Sequence, residues 1–356
     1  MRRGTCIVTG GAGFIGCALS RPLTQLFERV IAVDCLHPQV HAVRDRPKGL
    51  AEGVDLCVRD VTRPETWREL LGAAVPDVVF HLAAETGTGQ SLTEASRYAH
   101  TNLCGLAAML DALAACRFVP ERIVLTSSRA VYGNGAWRPE GGAPLYPGDR
   151  RREQLADGLW DFPGLAYVPA RAEETVPAPV SVYGATKLAQ EHVLLSWASA
   201  FGTKPIILRL QNVYGPGQSL SNSYTGIVAL FCRLARKGQS IPLYEDGAML
   251  RDFILVDDVA EALSRCLDLS GPGPHLYDVG TGRPTTIADL ARRIAALYGA
   301  PAPHVCGRYR FGDVRHAACM IEKTEQALGW SPRHGLGDGL IRLKSWVDGV
   351  LGAEES

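Results

Sequence analysis

Residues 5–16, TCIVTGGAGFIG, run from a short apolar stretch straight into glycines at positions 10, 13 and 16. The spacing is GxxGxxG, following a strand candidate (Thr5–Thr9) and opening an apolar-periodic segment that reads as a helix. Glycine permits a tight turn, lets the backbone approach a pyrophosphate, and lets helix and strand pack closely. The helix start then aims its unpaired N–H groups at the anion. Phe14 and Ile15 belong to the same loop-to-helix junction. The next strand candidate, VIAVD, ends at Asp34, eighteen residues beyond Gly16. A carboxylate there can accept both hydroxyls of an adenosine ribose and repels a 2′-phosphate, which favours NAD over NADP.

Working outward, further strand candidates are Leu56–Val58, Val78–Leu82, Ile123–Ser127 and Ile206–Leu210. Helical spacing separates them, notably at Thr101–Ala115 and Lys187–Ala200. Near-continuous Val/Ile/Leu strands alternating with helices predict an α/β Rossmann-type, doubly wound parallel sheet. The expected division is a coenzyme domain over residues 1–212, with an insertion at 133–180. Residues 213–252 and 284–356 would form a smaller C-terminal substrate lobe, while 253–283 returns to the first core. The insertion, rich in Gly, Pro, Arg and Glu, reads as an ordered excursion or a lid. Its Arg150-Arg151-Arg152 run reads as a solvated basic turn. The last helix is expected near Leu336–Leu351.

The 356 residues carry 37 basic and 37 acidic side chains, 46% hydrophobic and 21% charged residues overall. Zero formal charge argues against a nucleic-acid partner. No apolar run approaches the roughly 18–20 residues of a membrane span, and Cys6-Ile7-Val8 is too short for an export signal. Ten cysteines without a CxxC pair suit buried thiols in a reducing, cytoplasmic setting. Cys17 and Cys104 are expected to pack as small hydrophobes, and Trp67, Trp197 and Trp330 as packing residues. No metal site is expected among the nine histidines.

SVYGATK (181–187) sets Tyr183 and Lys187 four residues apart at a helix start, hence on one face. An ammonium beside a phenol lowers the phenol pKa, which makes the tyrosine a usable base. IVLTSSRAVYG (123–133) puts Ser127 and Ser128 at a strand's C-terminal end, where open α/β sheets hold ligands.

In combination these motifs resemble the extended short-chain dehydrogenase/reductases, specifically the NAD-dependent nucleotide-sugar epimerases and dehydratases, from Cys6 to about Pro332. Within that family the chain is most similar to 4-epimerases of the dTDP-L-rhamnose and UDP-glucose types. The resemblance implies Tyr183, Lys187 and Ser128 as the catalytic set. It implies Asp60 and Val61 beside the adenine, with Leu82, Ala83, Ala84 (of HLAA, from His81) and Thr86 lining the coenzyme cleft. Asn102 would lie behind the nicotinamide ribose. Asn212 of RLQNVYGPG would contact the substrate diphosphate, and Tyr244 would lie near the base. Arg251, Arg310 and Asp313 would hold diphosphate and ribose, with Asn222 a further substrate contact. The family also implies a homodimer, paired through Thr101–Cys116 and Tyr183–Phe201.

Dehydratases of the family carry an Asp-Glu pair after the strand-end residue, where this chain has Arg129 and Ala130. Neither works as an acid or base at neutral pH, so redox chemistry without elimination is expected. The resemblance then implies 4-epimerisation through a transient 4-keto sugar, with a dTDP-linked 6-deoxyhexose as a candidate substrate. A 4-keto-6-deoxyhexose reductase and a non-catalytic NAD-sensing protein are the alternatives. Relatives of the rhamnose type carry paired cysteines in the insertion, and this chain has none there.

Overall fold

The computed structural model describes residues 2–41, 43–220 and 226–354. Seven strands make one wholly parallel sheet: β1 (Arg3–Thr9), β2 (Phe27–Asp34), β3 (Val54–Val58), β4 (Val78–His81), β5 (Arg122–Ser128), β6 (Lys204–Leu210) and β7 (His275–Val279). Their spatial order is 3-2-1-4-5-6-7, and the order reverses between β1 and β4. That reversal opens the crevice in which doubly wound sheets bind ligands. The expected fold class is the observed one.

Strand residues alternate between two apolar layers, as period two requires. Cys6, Val8, Val30, Ala32, Val78 and Phe80 face one layer, completed by Leu19 and Leu23 of helix α1 (Phe14–Leu26) and by Val259 and Leu263. Ile7, Ile31, Val33, Val79, Ile123 and Leu125 face the other, with Trp67, Met109, Leu113 and Leu194. Both faces are covered, which explains why the strands read as continuous hydrophobic runs. Helix Val182–Phe201 lies on the second face and brings its N-terminal turn to the carboxyl end of β5.

A separate apolar cluster joins helices Ile227–Arg236, Ile287–Tyr298 and Leu336–Glu354. The two units meet at a short parallel pair, Asn212–Tyr214 with Phe253–Leu255. There Ile254 points into the sheet core while Phe253 and Leu255 point into the second cluster. The insertion contains a hairpin, Ala136–Pro139 with Leu165–Val168, and a bridge from Ala170 to Cys319. Among the described residues, no helix is long and apolar enough to cross a membrane.

Two sequence expectations need correcting. Cys104 is exposed. Leu106, Met109, Leu110 and Leu113 take the sheet-facing side of its helix, so Cys104 falls on the opposite face. Arg150 is not solvated: it is buried and bidentate to Glu245, with N···O distances of 2.9 and 2.7 Å. Glu245 in turn accepts from Arg315, which also grips Asp161 and Asp246. The insertion is thereby tied to the second unit by a buried ionic network.

Candidate active site

The glycine loop forms as read. Gly10 has φ +66°, and its N–H donates to Val33 O at 2.8 Å; a Cβ there would meet Ala83 N at 2.7 Å. A Cβ on Gly16 would meet Gly11 O at 2.5 Å. The first intrahelical bond of α1 is Cys17 N–H to Gly13 O, which leaves the N–H groups of Phe14, Ile15 and Gly16 pointing outward. Asp34 sits at the end of β2 and accepts from Ala12 N (3.1 Å) and Leu36 N (2.9 Å). Its carboxylate is thus held at the loop's edge.

A chamber opens over this loop, walled by Phe14, Ile15, Leu82, Ala84, Thr86, Ser128, Tyr183 and Lys187. Ala83 lies behind it, hydrogen-bonded through its N–H to Thr9 Oγ1. Asn102 is fully buried and stands outside the chamber wall; it receives Glu85 N–H and donates to Glu85 O and Thr186 Oγ1. It therefore shapes the loop that carries Thr86. Asp60 is turned to Thr62, accepting from its N–H and hydroxyl, and Val61 is buried with its carbonyl accepting from Trp67 Nε1. Neither lines the chamber.

Ser128 caps the turn after β5, accepting Ala130 N–H, and shares the chamber wall with Tyr183. Burial raises the Tyr183 phenol, while the nearby Ser128 hydroxyl and the positive charge of Arg129 pull it back down. This corrects the expectation that Lys187 supplies the lowering charge. The Lys187 ammonium is turned to Gln190 Oε1 at 2.5 Å, and burial lowers its pKa to about 7 against the opposing pull of Glu191. Gln190 also reaches Asn102 O and His81, which meets Thr9 Oγ1. Burial, then Lys187, lowers the His81 pKa to about 3, so this imidazole is neutral. Behind the chamber, Ser127 and Arg209 both bind Glu191.

A second cavity adjoins the first, and both are walled by Arg129 and Asn212. Tyr244, Arg251, Arg310 and Asp313 line it, with Arg308 and Arg310 over the Tyr244 ring at 5.0 and 5.1 Å. Arg251 makes no ion pair with its neighbours: Asp252 holds the turn at Thr281 and Gly282, and Asp257 pairs with Arg342. Its guanidinium donates to the carbonyls of Leu250, Val314 and Arg315, and burial lowers its pKa to about 9. Asn222 lies outside the described residues. Sequence reasoning passed over Gln190, Arg308 and the direct presence of Arg129. Gln190 stands one helical turn from Lys187, a spacing that could have revealed it.

The NAD dependent epimerase/dehydratase family model matches residues 6–151 and 162–280. The chain belongs to that family. Its coenzyme is NAD, and the glycine cradle at Gly10 and Gly16 with Asp34 at its edge fits the dinucleotide. The chain is 54% identical to a dTDP-L-rhamnose 4-epimerase of Burkholderia thailandensis, over 96% of this chain and 94% of that one. Among solved structures it is similar to UDP-glucose 4-epimerase of Thermotoga maritima with UDP-glucose, with a TM-score of 0.80 and 27% identity, covering 98% of this chain and 99% of that one. UDP-glucose 4-epimerase of Thermus thermophilus with NAD matches at TM-score 0.75 and 28% identity, covering 97% and 99%.

Proposed function

We propose that this chain is an NAD-dependent nucleotide-sugar 4-epimerase, an isomerase whose substrate is a dTDP-linked 6-deoxyhexose. The observation that carries the reaction type is the chamber wall. Ser128, Tyr183 and Lys187 converge there, and among the described residues no carboxylate lines it. Elimination of water needs a further acid and base at the sugar's C5 and C6, and the chamber wall has no carboxylate pair to supply them. NAD, when bound, accepts and returns the hydrogen at C4. Tyr183 takes the C4 hydroxyl proton and later gives it back, and Ser128 holds the C4 oxygen. Lys187 stands ready to hold the nicotinamide ribose. Between the two half-reactions the 4-keto sugar turns over, so the opposite face is reduced and the coenzyme ends unchanged.

Coenzyme contacts run through Gly10, Gly13, Phe14, Ile15, Gly16, Asp34, Asp60, Val61, Leu82, Ala83, Ala84 and Thr86, with Asn102 acting behind them by holding the loop that carries Thr86. Substrate contacts run through Asn212, Asn222, Tyr244, Arg251, Arg310 and Asp313. Residues 1–212 with 253–283 serve the coenzyme, and 213–252 with 284–356 serve the substrate. The 54% identical relative's name supports the thymidine-linked deoxysugar. The enzyme works in the cytoplasm as a homodimer paired through Thr101–Cys116 and Tyr183–Phe201. Its ten unpaired thiols and the exposed Cys104, Cys116 and Phe201 side chains support this.

The test is proton NMR of the purified protein with dTDP-L-rhamnose, UDP-glucose, UDP-N-acetylglucosamine and UDP-glucuronate, with no coenzyme added. The expected result is a new anomeric signal from dTDP-L-rhamnose that settles to an equilibrium mixture and vanishes in Tyr183→Phe. Silence across the panel, with NADH or NADPH consumed on 4-keto sugars, refutes the epimerase and leaves a reductase. Light scattering that gives the mass of a single 38.3 kDa chain refutes the dimer.

A further inference from the structure

We propose that Arg129 binds the sugar-proximal phosphate of the substrate and serves as the pivot about which the 4-keto sugar turns. This rests on the epimerase reading above. Arg129 follows Ser128 directly and opens the short turn Arg129–Tyr132 at the carboxyl end of β5. It is one of the residues that wall both cavities, so it stands at their seam. Its Nε donates to the amide oxygen of Asn212 at 2.7 Å, and its two terminal nitrogens make no hydrogen bond with any described residue.

The other interior arginines behave differently. Arg150, Arg209 and Arg315 each grip carboxylates. Arg251 has its terminal nitrogens committed to backbone carbonyls. A desolvated guanidinium held by one neutral amide is costly unless an anion completes it. Its free fork matches the geometry of a phosphate.

The substrate must place C4 at Tyr183 and Ser128 in one chamber and its base near Tyr244 in the other. The diphosphate that joins them must therefore cross the seam, with the phosphate attached to the sugar nearest Arg129. Inversion requires the sugar to leave Tyr183, swing and return without escaping. The bond to that phosphate is the axis, so a cation clamped on it by Asn212 retains the intermediate while leaving the ring free to turn.

The experiment is calorimetric titration of wild type, Arg129→Gln and Arg129→Lys with thymidine and uridine mono- and diphosphates. Loss of one charged hydrogen-bonding partner predicts diphosphate affinity about 10- to 100-fold weaker in Arg129→Gln. Monophosphate affinity should stay within about threefold of wild type, and Arg129→Lys should recover part of the loss. During turnover, Arg129→Gln should release 4-keto sugar nucleotide detectable by mass spectrometry. Equal weakening of mono- and diphosphate, or no weakening of either, overturns the assignment while leaving the epimerase reading intact. A wild-type protein that binds no nucleotide and turns over no nucleotide sugar overturns the functional reading, and this inference with it.

Discussion

Replacing Glu245 with methionine probes the bond between the insertion and the nucleotide-facing unit. Glu245 accepts three hydrogen bonds, at 2.9 and 2.7 Å from Arg150 and at 2.9 Å from Arg315. All three side chains are at most 2% exposed. Methionine fills a similar volume and offers no acceptor. Arg315 keeps Asp161 and Asp246, but Arg150 is left with only the carbonyls of Trp160 and Asp313. Breaking a buried pair on one side costs about 3–5 kcal/mol. With an unfolding entropy of about 2.1 cal/mol/K per residue, Tm should fall by about 4–7 °C for a chain of this length. The double variant Arg150→Met/Glu245→Met removes both charges and should recover most of that loss. Arg150 also holds the carbonyl of Asp313, and Glu245 adjoins Tyr244. Nucleotide affinity should therefore fall in Glu245→Met while NAD affinity stays at the wild-type value. Thermal unfolding and calorimetry check both. A single variant within about 1 °C of wild type, or a double variant less stable than the single, would refute the reasoning.

Lys187→Met should stabilise the coenzyme-free protein near neutral pH. The native pKa of about 7 lies below the ordinary 10.5, so the unfolded chain binds more protons and wild-type stability rises between those values. The advantage of the variant, measured by denaturant titration, should shrink as pH climbs from 7 toward 10.5. Burial raises the Asp278 carboxyl from 3.8 to about 7, against the hydrogen bond from Tyr132, so its native form holds a proton that the unfolded form has lost. Stability therefore falls as pH rises between those values, and Asp278→Asn should stabilise more at pH 8 than at pH 5; an equal effect at both contradicts it. Asp34→Asn removes the charge that repels a 2′-phosphate, so the preference for NAD over NADP should narrow by about tenfold in competitive binding. An unchanged ratio would show that the carboxylate does not face the ribose.

What the residue order determined by itself was local. The GxxGxxG turn, Asp34 at the end of β2, and Tyr183 with Lys187 on one helical face all follow from backbone periodicity over a few residues. The alternating apolar strands likewise announced a sheet covered on both sides. Tertiary structure decided how charges were shared between distant segments. Three consecutive arginines at 150–152 look like solvated surface until Glu245, 95 residues on from Arg150, arrives to bury the first of them. Lys187 was expected to charge the tyrosine, yet Gln190 captures its ammonium and Arg129 supplies the nearby cation. Arg129 itself signified, in the sequence, only a missing acid. Its position between two cavities depends on Asn212, 83 residues away, delivered by the strand pair that joins the two units. Side-chain electrostatics depends on distance and burial through space. Those are properties of the packed chain that no local pattern encodes.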